Sequence, residues 1–188
     1  YLINAEIGKV QLQQLVDKHQ FDLFIYDDYF TSFVKESDIK QSFSIFELEG
    51  MLHSTTAKRP IQRTSTSNII LLTSGTTGTP KEVIHKPSLF NYLNPFIGMV
   101  QRLKLIQYNS GYIATPLYHG YGIAILFLFT VLGKKVVLSE RFEVKNACEL
   151  IQKHQVEIVT VVPLMIHKML KENAADLNSL RCIASGGA

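Results

Sequence analysis

Cysteine is scarce in this chain, and long apolar runs, charge runs and repeats are missing. Its two cysteines, Cys148 and Cys182, stand far apart without metal-ligand spacing. That argues against a secreted disulfide scaffold and for a reducing, cytoplasmic setting, with both thiols expected to be buried as small hydrophobes. The most apolar stretch, Ile123 to Leu132, is far shorter than the roughly twenty residues a spanning helix needs, so it reads as a core helix and no transmembrane segment is expected. No succession of positive, apolar and small residues opens the chain, which excludes a visible signal peptide. The first residue is Tyr1 and the last six run Ile183-Ala184-Ser185-Gly186-Gly187-Ala188, so both ends are read as cut within a domain. Net charge is +3, and Lys and Arg form no run interleaved with aromatics, so nucleic acid is not an expected partner and a solvated surface is.

What is present is the profile of a globular protein: 46% of the 188 residues are hydrophobic and 19% charged, enough to bury one large core or two small ones. Leu12, Leu15 and Val16 recur at helical spacing between Lys9 and His19, and a short strand follows over Phe21 to Tyr26. From Thr31 to Ser67 the periodicity weakens, and Ser54 to Ser67 reads as loop. Asn68 to Leu72 is a continuous apolar run, as in a strand buried on both faces, and Glu82 to His85 fits a second strand. A helix is expected from an N-cap at Ser88 to Arg102, ended or kinked early by Pro95.

Strands and helices then alternate. Strands are expected over 111–115, 135–138, 157–162 and 181–184, with helices over 122–132, 144–153 and 163–172. This pattern predicts an α/β fold with a mostly parallel sheet flanked by helices. In such sheets ligands bind beyond the carboxyl ends of the strands. The loops that fall there are Thr73 to Lys81, Pro116 to Gly122, Val162-Pro163 and Ser185 to Ala188, and the glycines and hydroxyls cluster in them.

Thr73-Ser74-Gly75-Thr76-Thr77-Gly78-Thr79-Pro80-Lys81 cannot be helical with two glycines and a proline inside it. Its glycines permit successive N–H groups to point one way, its hydroxyls add donors and Lys81 adds charge, which together answer the needs of a polyphosphate. A polar hairpin loop is the competing reading of the same residues. A Walker loop is excluded because Pro80 stands at the second glycine position and Glu82 where the metal-binding hydroxyl belongs.

The stretch resembles the signature of the adenylate-forming (AMP-binding) superfamily, Thr-Ser-Gly-Ser/Thr-Thr-Gly-x-Pro-Lys-Gly, with Glu82 in place of the last glycine. A carboxylate turned inward there would repel phosphates, so it is expected to face solvent. Pro116-Leu117-Tyr118-His119-Gly120-Tyr121-Gly122 resembles the superfamily's Pro-Leu/Met-Phe/Tyr-His-x-x-Gly segment, Val161-Val162-Pro163-Leu164 its Val-Pro-Pro turn, and Leu180 to Ala188 the strand ending in Gly-Gly-Ala.

The resemblance implies the large N-terminal domain of an acyl-CoA synthetase, with residues 1–188 as an incomplete adenylation domain and the C-terminal lid domain absent. It implies ATP, Mg²⁺ and coenzyme A as cofactors and co-substrates, and a fatty or aryl carboxylic acid as the acid activated. Thr73, Ser74, Gly75, Thr76, Thr77, Gly78 and Lys81 would grip phosphates, while Gly186, Gly187 and Ala188 would flank adenine and the acyl group. His119, Gly120, Tyr121 and Gly122 would line or gate the acid site, with His119 and Lys81 nearest the chemistry and no protein metal ligand among these positions. The superfamily's later motifs, Tyr-Gly-x-Thr-Glu and Thr-Gly-Asp, are not found among these residues, so the chain alone is expected to be inactive. An amino-acid adenylation domain, a luciferase-like oxygenase, a non-catalytic nucleotide-binding module and a purely structural α/β domain are the alternatives.

Overall fold

The computed structural model describes residues 1–4, 6–54, 68–73, 81–85, 89–171 and 177–186. Two compact units divide the chain, one formed by Tyr1–Leu2, Asn68–Leu71 and Ile84–Ala188, the other by Ile3–Ser67 and Leu72–Val83.

The larger unit contains a four-stranded parallel sheet. Its strands are β5 (Ser110–Ile113), β6 (Lys135–Leu138), β7 (Ile158–Val161) and β8 (Cys182–Ser185), in the spatial order β6-β5-β7-β8. Burial follows that order. The central strands β5 and β7 are buried at every position, while β6 and β8 at the edges mix covered and exposed residues, as strands with an open edge do.

Helices α4 (Leu89–Arg102), α5 (Gly120–Val131), α6 (Val144–His154) and α7 (Pro163–Lys171) accompany the sheet. Because neighbouring strand positions point to opposite faces, Tyr112, Val159 and Val161 join Ala147 and Ile151 of α6 and Met169 of α7 in one cluster. Ile113 and Ile158 join Ile125, Leu128 and Phe129 of α5 in another, against which Phe96, Met99 and Val100 of α4 pack. Gly111 is required in this second layer, since any Cβ there would overlap the Phe129 ring.

In the smaller unit α1 (Lys9–His19) leads to β1 (Phe24–Tyr26), then α2 (Thr31–Glu36), β2 (Ser42–Ser44) and α3 (Ile45–Ser54), with β1 and β2 paired in parallel over Leu12, Val16, Phe24 and Phe33. Strands β3 (Ile69–Thr73) and β4 (Lys81–His85) form a two-stranded sheet.

Several expectations change. The stretch from Thr31 to Ser54 is ordered as two helices and a strand, although its hydrophobic periodicity is weak. Asp27 accepts the Tyr29 N–H and caps the 3-10 turn Asp28–Phe30 that runs into α2, while Ser44 and Glu47 form a reciprocal cap on α3, so local side-chain bonds mark a region that the pattern left unmarked. Pro95 lies inside α4 without ending it; packing of Phe96, Met99 and Val100 on the core outweighs the lost amide bond. In β3, Leu71 is buried but Ile69, Ile70 and Leu72 are half-buried, so that strand is not enclosed on both faces. Cys148 and Cys182 form no disulfide and are half-buried rather than fully enclosed, each packed against the rim of a core cluster. The Ser88 cap lies outside the described residues.

Candidate functional site

At the carboxyl edge of the parallel sheet the His119 turn meets the end of β8. Beyond β5, the Ala114 N–H donates to the Thr160 carbonyl at 3.0 Å, prolonging the pairing until Pro116, which has no amide to offer. The chain then turns, and the His119 N–H closes that turn on the Pro116 carbonyl at 3.1 Å. His119 takes the extended conformation, φ −92° and ψ 144°, and stands just before α5, where its carbonyl accepts from the Ile123 N–H at 3.1 Å. Its imidazole makes no capping bond and is exposed, with the Tyr118 ring 4.5 Å away, centre to centre.

The first turn of α5 is tied to the neighbouring strands by small residues. Gly122 is buried, and a Cβ there would overlap the Pro116 carbonyl oxygen, so no larger residue lets the helix start so close to the strand end. Tyr121 is half-buried; its hydroxyl donates to the Ala184 carbonyl of β8 at 3.3 Å, and its ring covers Gly186, where a Cβ would stand 3.2 Å from Cε2. The Gly186 N–H donates to the Val161 carbonyl of β7 at 3.1 Å. Burial pushes the Tyr121 pKa up, with Cys182 adding to it, so the hydroxyl remains a neutral donor at ordinary pH. The turn after β5 and the ends of β7 and β8 therefore share one place, which offers an imidazole, an aromatic face and backbone that other groups can approach closely. Such a surface can receive a flat or apolar body carrying a carboxylate.

The residues of the Thr73–Lys81 stretch are placed less completely. Thr73 ends β3 and Lys81 begins β4, as expected for a loop between paired strands. Ser74, Gly75, Thr76, Thr77 and Gly78 lie outside the described residues, as do Gly187 and Ala188. Leu71 of β3 is buried, and its Cδ1 would be 3.4 Å from a Cβ on Gly120.

Two polar residues that motif reading missed lie on the same edge. Register pairs Ile113 with Thr160 and Thr160 with Ala184, so Thr160 faces the α5 layer, as does Thr115 two residues beyond Ile113. Both are buried, and their hydroxyls have no hydrogen-bond partner among the described residues. A threonine inside the apolar run Ile158-Val159-Thr160-Val161 was the available signal. Among the described residues no group of three or more His, Cys, Asp or Glu could hold a metal ion, and no helix is long and apolar enough to cross a membrane.

Comparison with known proteins agrees with this geometry. A 2-succinylbenzoate–CoA ligase from Bacillus velezensis is 28% identical over 186 residues, which span 99% of this chain and 38% of that protein. A 2-succinylbenzoate–CoA ligase from Bacillus subtilis is 33% identical over 118 residues, 63% of this chain and 24% of that protein. The chain thus spans well under half the length of these relatives.

Among solved structures, O-succinylbenzoate coenzyme A synthetase from Bacillus subtilis with ATP and magnesium superposes with a TM-score of 0.77 at 25% identity, covering 98% of this chain and 38% of that one. A Mycobacterium tuberculosis fatty acyl CoA synthetase gives a TM-score of 0.80 at 18% identity, covering 99% and 39%, which speaks to the fold alone. The family model for the AMP-binding enzyme matches residues 7–188, nearly the whole chain and every motif quoted above, and on that match the chain belongs to the AMP-binding enzyme family.

Proposed function

We propose that these residues form the ATP-gripping part of an acid–thiol ligase, which activates an aryl carboxylic acid as its adenylate and passes the acyl group to coenzyme A. The observation that carries this reading is the meeting of the His119 turn with the ends of β7 and β8 through the Tyr121–Ala184 and Gly186–Val161 hydrogen bonds. In the proposed reaction a carboxylate oxygen attacks the α-phosphorus of ATP, the bond to the bridging oxygen breaks, and pyrophosphate leaves. The thiol of coenzyme A then displaces AMP from the acyl carbon.

Backbone amides and hydroxyls of Thr73, Ser74, Gly75, Thr76, Thr77 and Gly78, with the Lys81 ammonium, would hold the β- and γ-phosphates and take up charge as the leaving group departs. Gly186, Gly187 and Ala188 would let backbone lie against adenine and the acyl group. His119, Gly120, Tyr121 and Gly122 would shape the acid site, the imidazole orienting the carboxylate. Mg²⁺ accompanies ATP in one similar structure; it would neutralise phosphate charge, and none of the roles given to these residues depends on it.

On sequence alone, the apolar segment after His119 points to a long or medium acyl chain in preference to an aryl acid; the aryl class is favoured instead by the relatives, which are named for 2-succinylbenzoate and 4-coumarate. The test uses the product of the whole reading frame containing this sequence, with ATP, coenzyme A and either 2-succinylbenzoate, 4-coumarate, octanoate, palmitate or amino acids. Thioester and AMP forming with an aryl acid support the reading. Activation of amino acids alone would make it a peptide-synthetase domain, and ATP binding without AMP release from any acid would make it a non-catalytic nucleotide module.

A further inference from the structure

In a parallel sheet with helical returns, every helix delivers its C-terminus to the amino edge of the strands. On that edge α4 ends on Arg102, with Lys104 just beyond, and Lys134 and Lys135 join α5 to β6. There too α6 ends on Lys153-His154 and α7 on Lys171, and the chain enters β8 through Arg181. Apart from Lys134 and His154 these side chains are exposed.

The opposing charge among the described residues of this edge is Glu157. It is largely buried and already engaged, one oxygen accepting the Asn109 N–H at 2.6 Å and the other 3.8 Å from Arg181 Nε. Glu172 and Asp176 lie outside the described residues. A helix dipole explains a cation in a last turn, as at Arg102, Lys153 and Lys171. It does not explain Lys104, Lys135 and Arg181, which stand beyond the helices.

Large aliphatic side chains protrude among these cations. Ile106 is 77% exposed, Val131 84% and Leu170 75%, each within a few residues of a helix end on this edge. Exposed apolar residues occur elsewhere on the chain as well; these three are the ones set among the cations of this edge. A cavity of about 580 Å³ opens on the same edge, lined by Asn109, Lys135, Asn178, Ser179 and Arg181 together with the already engaged Glu157. The Ser179 hydroxyl is buried there with no partner among the described residues.

We propose that the amino edge of this sheet is a docking surface for an anionic lipid bilayer. Cations draw the edge to the negative surface, Ile106, Val131 and Leu170 enter the headgroup region, and the polar cavity takes a lipid phosphate from Lys135, Arg181 and Ser179. Separate aliphatic points on three elements suit shallow insertion. A nucleic acid would call for aromatic stacking, and an acidic protein for a continuous apolar seat. The catalytic turns lie at the opposite end of the same strands and remain open in this arrangement.

The test floats the whole-reading-frame protein with vesicles of phosphatidylcholine alone or with about a third phosphatidylglycerol. Binding is expected to the anionic vesicles alone and to be lost at about 0.5 M salt. The triple change Lys104→Gln, Lys135→Gln, Arg181→Gln should weaken it by about a hundredfold, at about fivefold per charge removed. Changing Ile106, Val131 and Leu170 to serine should weaken it at low salt too. Both sets should keep the melting temperature and pyrophosphate exchange of the parent, since neither touches the catalytic turns. The proposal fails if the parent protein floats with neither vesicle type or equally with both, or if the glutamine triple floats undiminished. It also fails if polyglutamate or inorganic phosphate binds while vesicles do not. Flotation does not depend on turnover, so its outcome and that of the ligase assay are independent.

Discussion

At Gly122 the fold and the proposed chemistry depend on one missing methyl group. A Cβ there would overlap the Pro116 carbonyl, which is backbone and cannot rotate away. Gly122→Ala should therefore destabilise by about 1–3 kcal/mol and push His119 and Tyr121 from their places. A denaturant midpoint equal to that of the parent would show that the helix start has room to spare. Tyr112 offers a different handle. Fully buried and hydrogen-bonded to Ser139 at 2.7 Å, it has its pKa raised, chiefly by burial. A raised folded-state pKa means that the folded protein holds its proton more tightly than the unfolded chain. The associated stability is then complete below the ordinary tyrosine value of about 10 and lost as pH rises through the folded-state value. Denaturant melts should show stability falling in that alkaline range, and Tyr112→Phe should flatten the fall. An unchanged slope in the variant would assign the loss to other groups.

At the scale of elements, two helices end alike. Both α1 and α6 close on Lys-His-Gln, and Gln20 and Gln155 take the left-handed conformation with φ 43° and 49°. A residue with a Cβ is strained there, so Gln155→Gly should raise stability by about 0.5–1 kcal/mol, as an increase in melting temperature would register. A decrease would mean that the Gln155 side-chain bond to the Gln152 carbonyl outweighs backbone strain. The elements legible in sequence were those with a sustained hydrophobic period, which is why β5 to β8 and their helices emerged within a few residues of their observed bounds. Helices α2 and α3 did not emerge, because their marks are local. Ser44-Ile45-Phe46-Glu47 is a capping box set among residues whose apolar spacing is poor, and reading hydrophobicity alone passes over it.

For the whole molecule, topology does what sequence order conceals. Arg102, Lys104, Lys134, Lys135, Lys153, Lys171 and Arg181 are scattered along the chain yet meet at one edge of the sheet because the returning helices end there, while the His119 turn and Gly186 lie at the other. The motif residues of the candidate site could be nominated from sequence because each sits in a short signature. Thr115, Thr160 and the Tyr121–Ala184 contact were not, since they depend on register between strands far apart in sequence. The central claim is that the carboxyl-edge turns join a carboxylate to the α-phosphate of ATP. The most direct measurement is exchange of labelled pyrophosphate into ATP by the whole-reading-frame protein, with and without an aryl acid, compared with Lys81→Met and Thr77→Val. Exchange that requires the acid and falls about a hundredfold or more in either variant is the predicted result. Exchange that ignores the acid, or that both variants keep at the parent rate, would contradict it.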